Sequence, residues 1–180
     1  MSQIWFTSDT HFGHDRSFIW GPRGFNSVEE MNEEIIRRWN SVISKDDIVY
    51  HLGDVMLGDN EKGIEYLKQL NGNIYIALGN HCTDTRAKMY AQCENVKDVQ
   101  LAYRIKQYKK TLILTHYPTI VTNFDDPKPI INLCGHCHTK DKFQDIQYGC
   151  YHVELDAHDC YPIKLEDILN DIKQKREENK

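Results

Sequence analysis

Short apolar runs that stop abruptly at a metal-type ligand recur along this chain, and they constrain its fold more than any other feature. The fullest is Asp47-Ile48-Val49-Tyr50-His51-Leu52-Gly53-Asp54. A β-branched run ending in Gly-Asp reads as a buried strand delivering a carboxylate to its C-terminal edge. In open α/β sheets that edge is where ligands bind. Four other segments share the form. Ile4–Thr7 leads to Asp9-Thr10-His11, and Asn73–Leu78 to Gly79-Asn80-His81. Thr111–Thr115 leads to His116, and Ile130–Cys134 to Gly135-His136-Cys137-His138.

The intervening stretches read mostly as helices. About forty residues separate His11 from Asp54, room for the helical crossover that parallel strands require. Ser27 and Glu30 form a capping-box pair, and Val28, Met31, Ile35, Trp39 and Val42 follow at helical spacing. Glu29, Glu33 and Glu34 load the first turns with acid, which suits the positive end of a helix dipole. Ile64, Leu67 and Leu70 line a second helix that Asn71-Gly72 stops, and a third is expected over Thr85–Cys93. Val99–Gln107 and Thr111–Thr115, joined by Tyr108-Lys109-Lys110, read as an antiparallel hairpin, with Pro118 ending the ladder. Thr119–Pro129 is a loop carrying Asp125-Asp126-Pro127. Tyr151–Leu155 is a late strand, Leu165, Ile168, Leu169 and Ile172 mark a last amphipathic helix, and the polar tail Lys173–Lys180 is expected to fray. Strand–helix alternation followed by a hairpin indicates an α/β domain with a mixed sheet. The 180 residues form one domain, 1–180.

A net charge of -5 argues against broad nucleic-acid binding. No apolar run approaches the roughly 20 residues of a membrane span, so no membrane partner is expected. Met1–Asp9 lacks the cationic start and apolar length of a signal peptide. The expectation is a cytoplasmic protein. Cys82, Cys93, Cys134, Cys137, Cys150 and Cys160 fit that compartment as free thiols. Cys134-x-x-Cys137 lacks the second pair that a zinc site would need.

Taken singly, the strand-end residues are ordinary. A lone Asp there more often caps a turn, and a lone His more often hydrogen-bonds in the core or at the surface. His51, His152 and His158 are placed in that class. The set is different, because five strand ends carry oxygen or imidazole ligands. Asp9-x-His11 and His136-x-His138 would each put both side chains on one side of an extended backbone. Carboxylate with imidazole suits Mn, Fe, Zn or Ni. Gly53, Gly79 and Gly135 each precede a candidate ligand, and glycine permits the close approach such a site requires.

The blocks D-x-H, G-D, G-N-H, a lone H and G-H-x-H occur in that order from Asp9 to His138. In this the chain resembles the calcineurin-like metallophosphoesterase superfamily. It is similar in particular to small phage and bacterial phosphoesterases, through Asp9-Thr10-His11-Phe12-Gly13-His14, the acid-rich helix and Tyr50-His51-Leu52-Gly53-Asp54. The resemblance implies a four-layer α-β-β-α sandwich of mixed sheets, with two divalent metal ions at one edge. Mn comes first, and Fe, Zn or Ni are also suited. It assigns Asp9, His11 and His138 to one metal, Asn80, His116 and His136 to the other, and Asp54 to both. A hydroxide shared by the metals would attack phosphorus in line. His81 would stabilise the transition state and protonate the leaving oxygen.

The implied substrate is a small phosphorylated molecule, a nucleotide-like phosphomonoester, because a poor leaving group needs an acid. The alternatives are a phosphodiesterase on cyclic nucleotides or nucleic-acid ends, a noncatalytic metal-binding scaffold, and a thiol module built on Cys134 and Cys137. Two departures from the pattern stand out. Cys82 follows the G-N-H block where many relatives carry an acid, with Asp84 two residues on as a replacement. Gly53-Asp54-Val55-Met56-Leu57-Gly58 lacks the arginine of the protein-phosphatase G-D-x-x-D-R-G block. Substrate contacts are therefore assigned to His14 and Arg23, ahead of Arg16 and Arg86.

Overall fold

The computed structural model describes residues 2–121, 130–143 and 149–178. Two sheets carry the chain. The first has the order β4-β3-β2-β1-β9, from β1 (Ile4–Thr7), β2 (Ile48–His51), β3 (Asn73–Ala77), β4 (Val96–Gln100) and β9 (Ile163–Lys164). Strands β1 to β4 run parallel, and β9 pairs antiparallel to β1. The second has the order β5-β6-β7-β8, from β5 (Tyr103–Gln107), β6 (Lys110–Leu114), β7 (Ile130–Cys134) and β8 (Cys150–His152). Among these strand pairs only the β5–β6 hairpin is antiparallel, and Phe143 adds a single antiparallel bridge to Tyr151 of β8. With five α-helices among the described residues, α1 (Ser17–Trp20), α2 (Val28–Val42), α3 (Asn60–Lys68), α4 (Asp84–Tyr90) and α5 (Leu165–Glu178), this is the sandwich of mixed sheets that was expected.

Strand alternation builds two cores from one sheet. Trp5, Val49, Ile74 and Ile76 face the helices and pack with Met31, Ile35, Trp39, Ile64 and Leu67. Phe6 and Ala77, from the opposite face, join Leu112, Leu114, Ile131, Leu133 and Tyr151 of the second sheet. Ile168 and Ile172 of α5 close that second core. Helix α2 starts where Ser27 Oγ accepts from Glu30 N at 3.1 Å. Glu30 reaches back to Asn26 N at 2.8 Å, one residue further than a reciprocal box would place it. Asp59 and Thr83 cap α3 and α4 in the same way, accepting from Lys62 N and Arg86 N.

Four expectations are corrected. Val99–Gln107 is not one strand. It divides at Leu101-Ala102 into the end of β4 and the whole of β5, which lie in different sheets. Strand β2 is central but not buried on both faces, since Ile48 and Tyr50 are only half-buried. The late strand stops at His152, and Leu155–Ala157 is a 3-10 turn. The polar tail continues α5 to Glu178. Of the loop Thr119–Pro129, residues 122–129 with Asp125, Asp126 and Pro127 lie outside the described residues. No helix among the described residues is long and apolar enough to cross a membrane.

Candidate metal centre

The ligand-type residues gather beyond the C-terminal ends of β1, β2, β3, β6 and β7, so both sheets contribute. The backbone after β1 and β2 stays paired there, with Asp9 N donating to Gly53 O and His11 N to Asp54 O, each at 3.0 Å. It does not stay extended. Asp9, His11, Asp54, His136 and His138 have φ of 59°, 50°, 53°, 76° and 49°. The D-x-H and H-x-H pairs therefore converge through left-handed kinks, and the extended-backbone reading of their spacing is corrected. Asp and His tolerate this region better than most side chains, and such strain collects at functional sites.

Two triangles of ligand atoms result. In the first, His11 Nε2 lies 3.1 Å from His138 Nε2 and 3.6 Å from Asp9 Oδ1, and His138 Nε2 lies 3.7 Å from Asp9 Oδ1. The circumradius of that triangle is about 2.0 Å, the length of a bond from zinc to imidazole or carboxylate. In the second, Asn80 Oδ1 lies 2.9 Å from both His116 Nε2 and His136 Nδ1, which are 3.2 Å apart. Adjacent corners of an octahedron with bonds of ~2.1 Å are ~3.0 Å apart, so these atoms match one octahedral face. Asp54 Oδ2 stands between the triangles, 3.3 Å from His116 Nε2 and 3.9 Å from His11 Nε2.

The donor chemistry fits cations. His116 Nδ1 donates to Leu52 O at 2.8 Å. In the neutral ring this leaves Nε2 as a bare acceptor facing the Asn80 oxygen. Asp9 Oδ1 is buried without a hydrogen-bond donor among the described residues. Burial raises the Asp9 carboxyl, but the His11 imidazole 3.6 Å away and the charges of His116 and His138 hold it below the ordinary carboxylate range. Burial likewise pulls His116 down, and Asp54 and Asp9 more than reverse this. Close approach depends on glycine. A Cβ on Gly79 would lie 2.8 Å from Asp54 N, and one on Gly135 would lie 2.7 Å from Ser8 Cβ.

A model of the calcineurin-like phosphoesterase family matches residues 2–179. The chain belongs to that family. Part of it is similar to the uncharacterized protein MJ1445 of Methanocaldococcus jannaschii, 46% identical over 83 residues. That match covers 45% of this chain and 47% of the relative, so the chain spans about half the length of that curated protein. A protein of unknown function from Aquifex aeolicus, AQ665, shares the fold with a TM-score of 0.68 at 21% identity, over 94% of this chain and 99% of that one. The E. coli phosphoesterase Yfce shares it at 0.52 and 16% identity, over 84% and 78%.

Around this centre, His81 is held by its backbone, with N–H donating to Asp54 Oδ1 at 2.9 Å and its carbonyl accepting from Arg86 at 2.7 Å. Its ring lies edge-on to His11 at 5.5 Å. Asp84 is exposed on α4 and makes no bond to it. Burial raises the Cys82 thiol, the opposite of nucleophile activation. His14 lies 5.2 Å from the His11 ring and 6.3 Å from His81. Burial, then the charges of His11 and His81, push it down to about 4.

Arg23, assigned to substrate by sequence, is instead turned inward. Its side chain is 1% exposed, ion-paired to Asp156, and donates to Asp9 O at 2.7 Å. Arg86 is also buried, bonded to Asn60 Oδ1, His81 O and Gly58 O. Cys134 is buried and Cys137 exposed, and neither is in a disulfide. His51 is bonded to Thr10 Oγ1, His152 to Glu154, and His158 to His152 O.

Two acids were missed. Glu154 accepts from Thr139 N at 2.6 Å and Cys137 N at 3.3 Å, holding the loop that carries His136 and His138. Asp156 accepts from His138 Nδ1 at 3.1 Å. The signal was present, because Val153-Glu154-Leu155-Asp156 is another apolar run that ends in acid.

Proposed function

We propose that this chain hydrolyses small phosphorylated molecules, with a nucleotide-like phosphomonoester as the preferred class, using two divalent cations. Asp9, His11 and His138 would hold one cation, Asn80, His116 and His136 the other, and Asp54 both. The observation that carries this is Asp54 Oδ2, set between two nitrogen-rich triangles within 3.9 Å of an imidazole from each. Bound there, the cations supply charge for the phosphoryl oxygens and lower the pKa of the attacking water, and oxygen–imidazole sites of this kind suit Mn, Fe, Zn or Ni. The chain's own part is orientation and proton transfer. His81 is fixed by two backbone bonds while its imidazole makes no hydrogen bond among the described residues. It is therefore available to give a proton to the leaving oxygen.

Two exposed aromatics support a flat leaving group. Tyr117, 50% exposed, stands edge-on to His136 at 4.7 Å and His116 at 5.1 Å. Phe18, 68% exposed, stands edge-on to His14 at 5.7 Å. Each can stack on a base. A second reading, a phosphodiesterase, is favoured by one observation. Arg23 and Arg86 are both engaged in the framework, which suits a substrate with one negative charge fewer. Turnover of matched aryl mono- and diesters with added Mn2+ separates the two. Diester turnover alone overturns the monoester preference, and no turnover of either overturns the hydrolase.

A further inference from the structure

We propose that Asp156, clamped by Arg23, is a positioning residue that sets the cation affinity of the Asp9–His11–His138 position. This rests on reading the site as a cation centre. A ligating imidazole is oriented by whatever its second nitrogen bonds, and an anionic partner also raises its basicity. The partners differ across this site. His116 donates to a neutral carbonyl, Leu52 O. His11 Nδ1 is buried without a partner among the described residues. Of these three imidazoles, His138 alone donates from its second nitrogen to a carboxylate among the described residues, from Nδ1 to Asp156 Oδ2 at 3.1 Å.

That carboxylate is itself fixed. Arg23 grips it with two bonds, Nε to Oδ1 at 3.0 Å and a terminal nitrogen to Oδ2 at 2.7 Å. A bidentate pair sets plane and distance together. The same guanidinium donates to Asp9 O at 2.7 Å and Thr10 O at 3.4 Å. One buried arginine thus secures the left-handed backbone of one ligand and, through Asp156, the ring of another. The brace spans 133 positions of the chain. His138 needs it, because its side chain is 32% exposed while that of Asp9 is fully buried.

Removing Asp156 alone would leave a buried guanidinium unpaired, which destabilises a fold on its own account. The test is therefore the double substitution Asp156→Asn with Arg23→Gln, which removes both charges together and leaves a polar side chain at each position. Calorimetric titration of metal-free protein with Mn2+ is the readout, beside Arg23→Gln alone. The double variant is expected to lose about 10–100-fold in one binding step and to keep the other within threefold. Arg23→Gln, which retains the carboxylate on His138, loses less.

Wild-type affinity in both steps of the double variant overturns the proposal, as does an equal loss in both, which a merely structural brace would give. The second measurement needs no variant. Imidazole nitrogen spectra of the wild-type protein loaded with Zn2+ should show His138 protonated at Nδ1, and protonation at Nε2 overturns the proposal. Wild-type protein that binds no Mn2+ overturns the cation centre itself, a failure distinct from the others.

Discussion

Gly79→Ala isolates the close approach on which Asp54 depends. Gly79 has no left-handed φ, so alanine fits the backbone and only space is tested. Its Cβ would lie 2.8 Å from Asp54 N and 2.9 Å from Asp54 Cγ. Ordinary contact is ~3.5–4.0 Å, so the two segments must part by roughly 0.7 Å or more. The obstacle includes backbone, which cannot swing aside. Overpacking of this kind costs about 1–3 kcal/mol, and at this chain length each kcal/mol lowers Tm by about 2–4 °C. The expected fall is about 2–12 °C without metal, with Mn2+ affinity reduced at least about tenfold by the displaced carboxylate. Gly72→Ala is the control. Gly72 has a φ of +100°, and its Cβ would meet Val49 Cγ2 at 2.9 Å, at the opposite end of β2 and β3. It should lose comparable stability and keep its affinity. Melting by circular dichroism and Mn2+ calorimetry read both quantities. Unchanged Mn2+ affinity in Gly79→Ala would refute the dependence of Asp54 on that glycine.

Chelation should lower the melting temperature, since a ligand at a hundredfold over its Kd stabilises by about 2.7 kcal/mol; an unchanged Tm counts against a preformed centre. His81→Ala should cost about 10²–10⁴-fold in kcat on an alkyl phosphate and less on a nitrophenyl ester, and equal losses on both would deny it the proton. Asp47 accepts from Gln3 N, Ser44 N and Trp5 Nε1 at 2.7, 3.0 and 3.2 Å. Burial raises its carboxyl, but those bonds bring it below the ordinary range. With the folded value the lower one, its stabilisation is complete above the ordinary carboxylate range and is lost as pH falls through the folded value. Asp47→Asn should therefore flatten the acid limb of Tm against pH, and an unaltered limb would refute the assignment.

The fold was legible where local chemistry decides it. Ser27, Glu30 and the spacing from Val28 to Trp39 define α2, and the apolar runs ending at Gly53, Gly79 and Gly135 define the strands beneath the centre. It was illegible where distant partners decide. No glycine or proline at Leu101-Ala102 marks the passage from one sheet to the other. Arg23 read as a free loop cation because its partner, Asp156, lies far along the chain. The left-handed kinks at Asp9 and His138 carry no glycine, so a sequence reading defaults to extended backbone there. Asp and His are simply the ligand types that tolerate the bend.

Because His11 and His138 meet across 127 positions and two sheets, this cluster of ligand-type side chains cannot close before His138 has been made. During synthesis the first four ligand-type residues emerge long before their companions, and the brace for His138 emerges later still. On the proposed cation reading, metal loading would follow the arrival of His138 and Asp156. A spectroscopic cation would accordingly report the last step of its maturation, after secondary structure is complete.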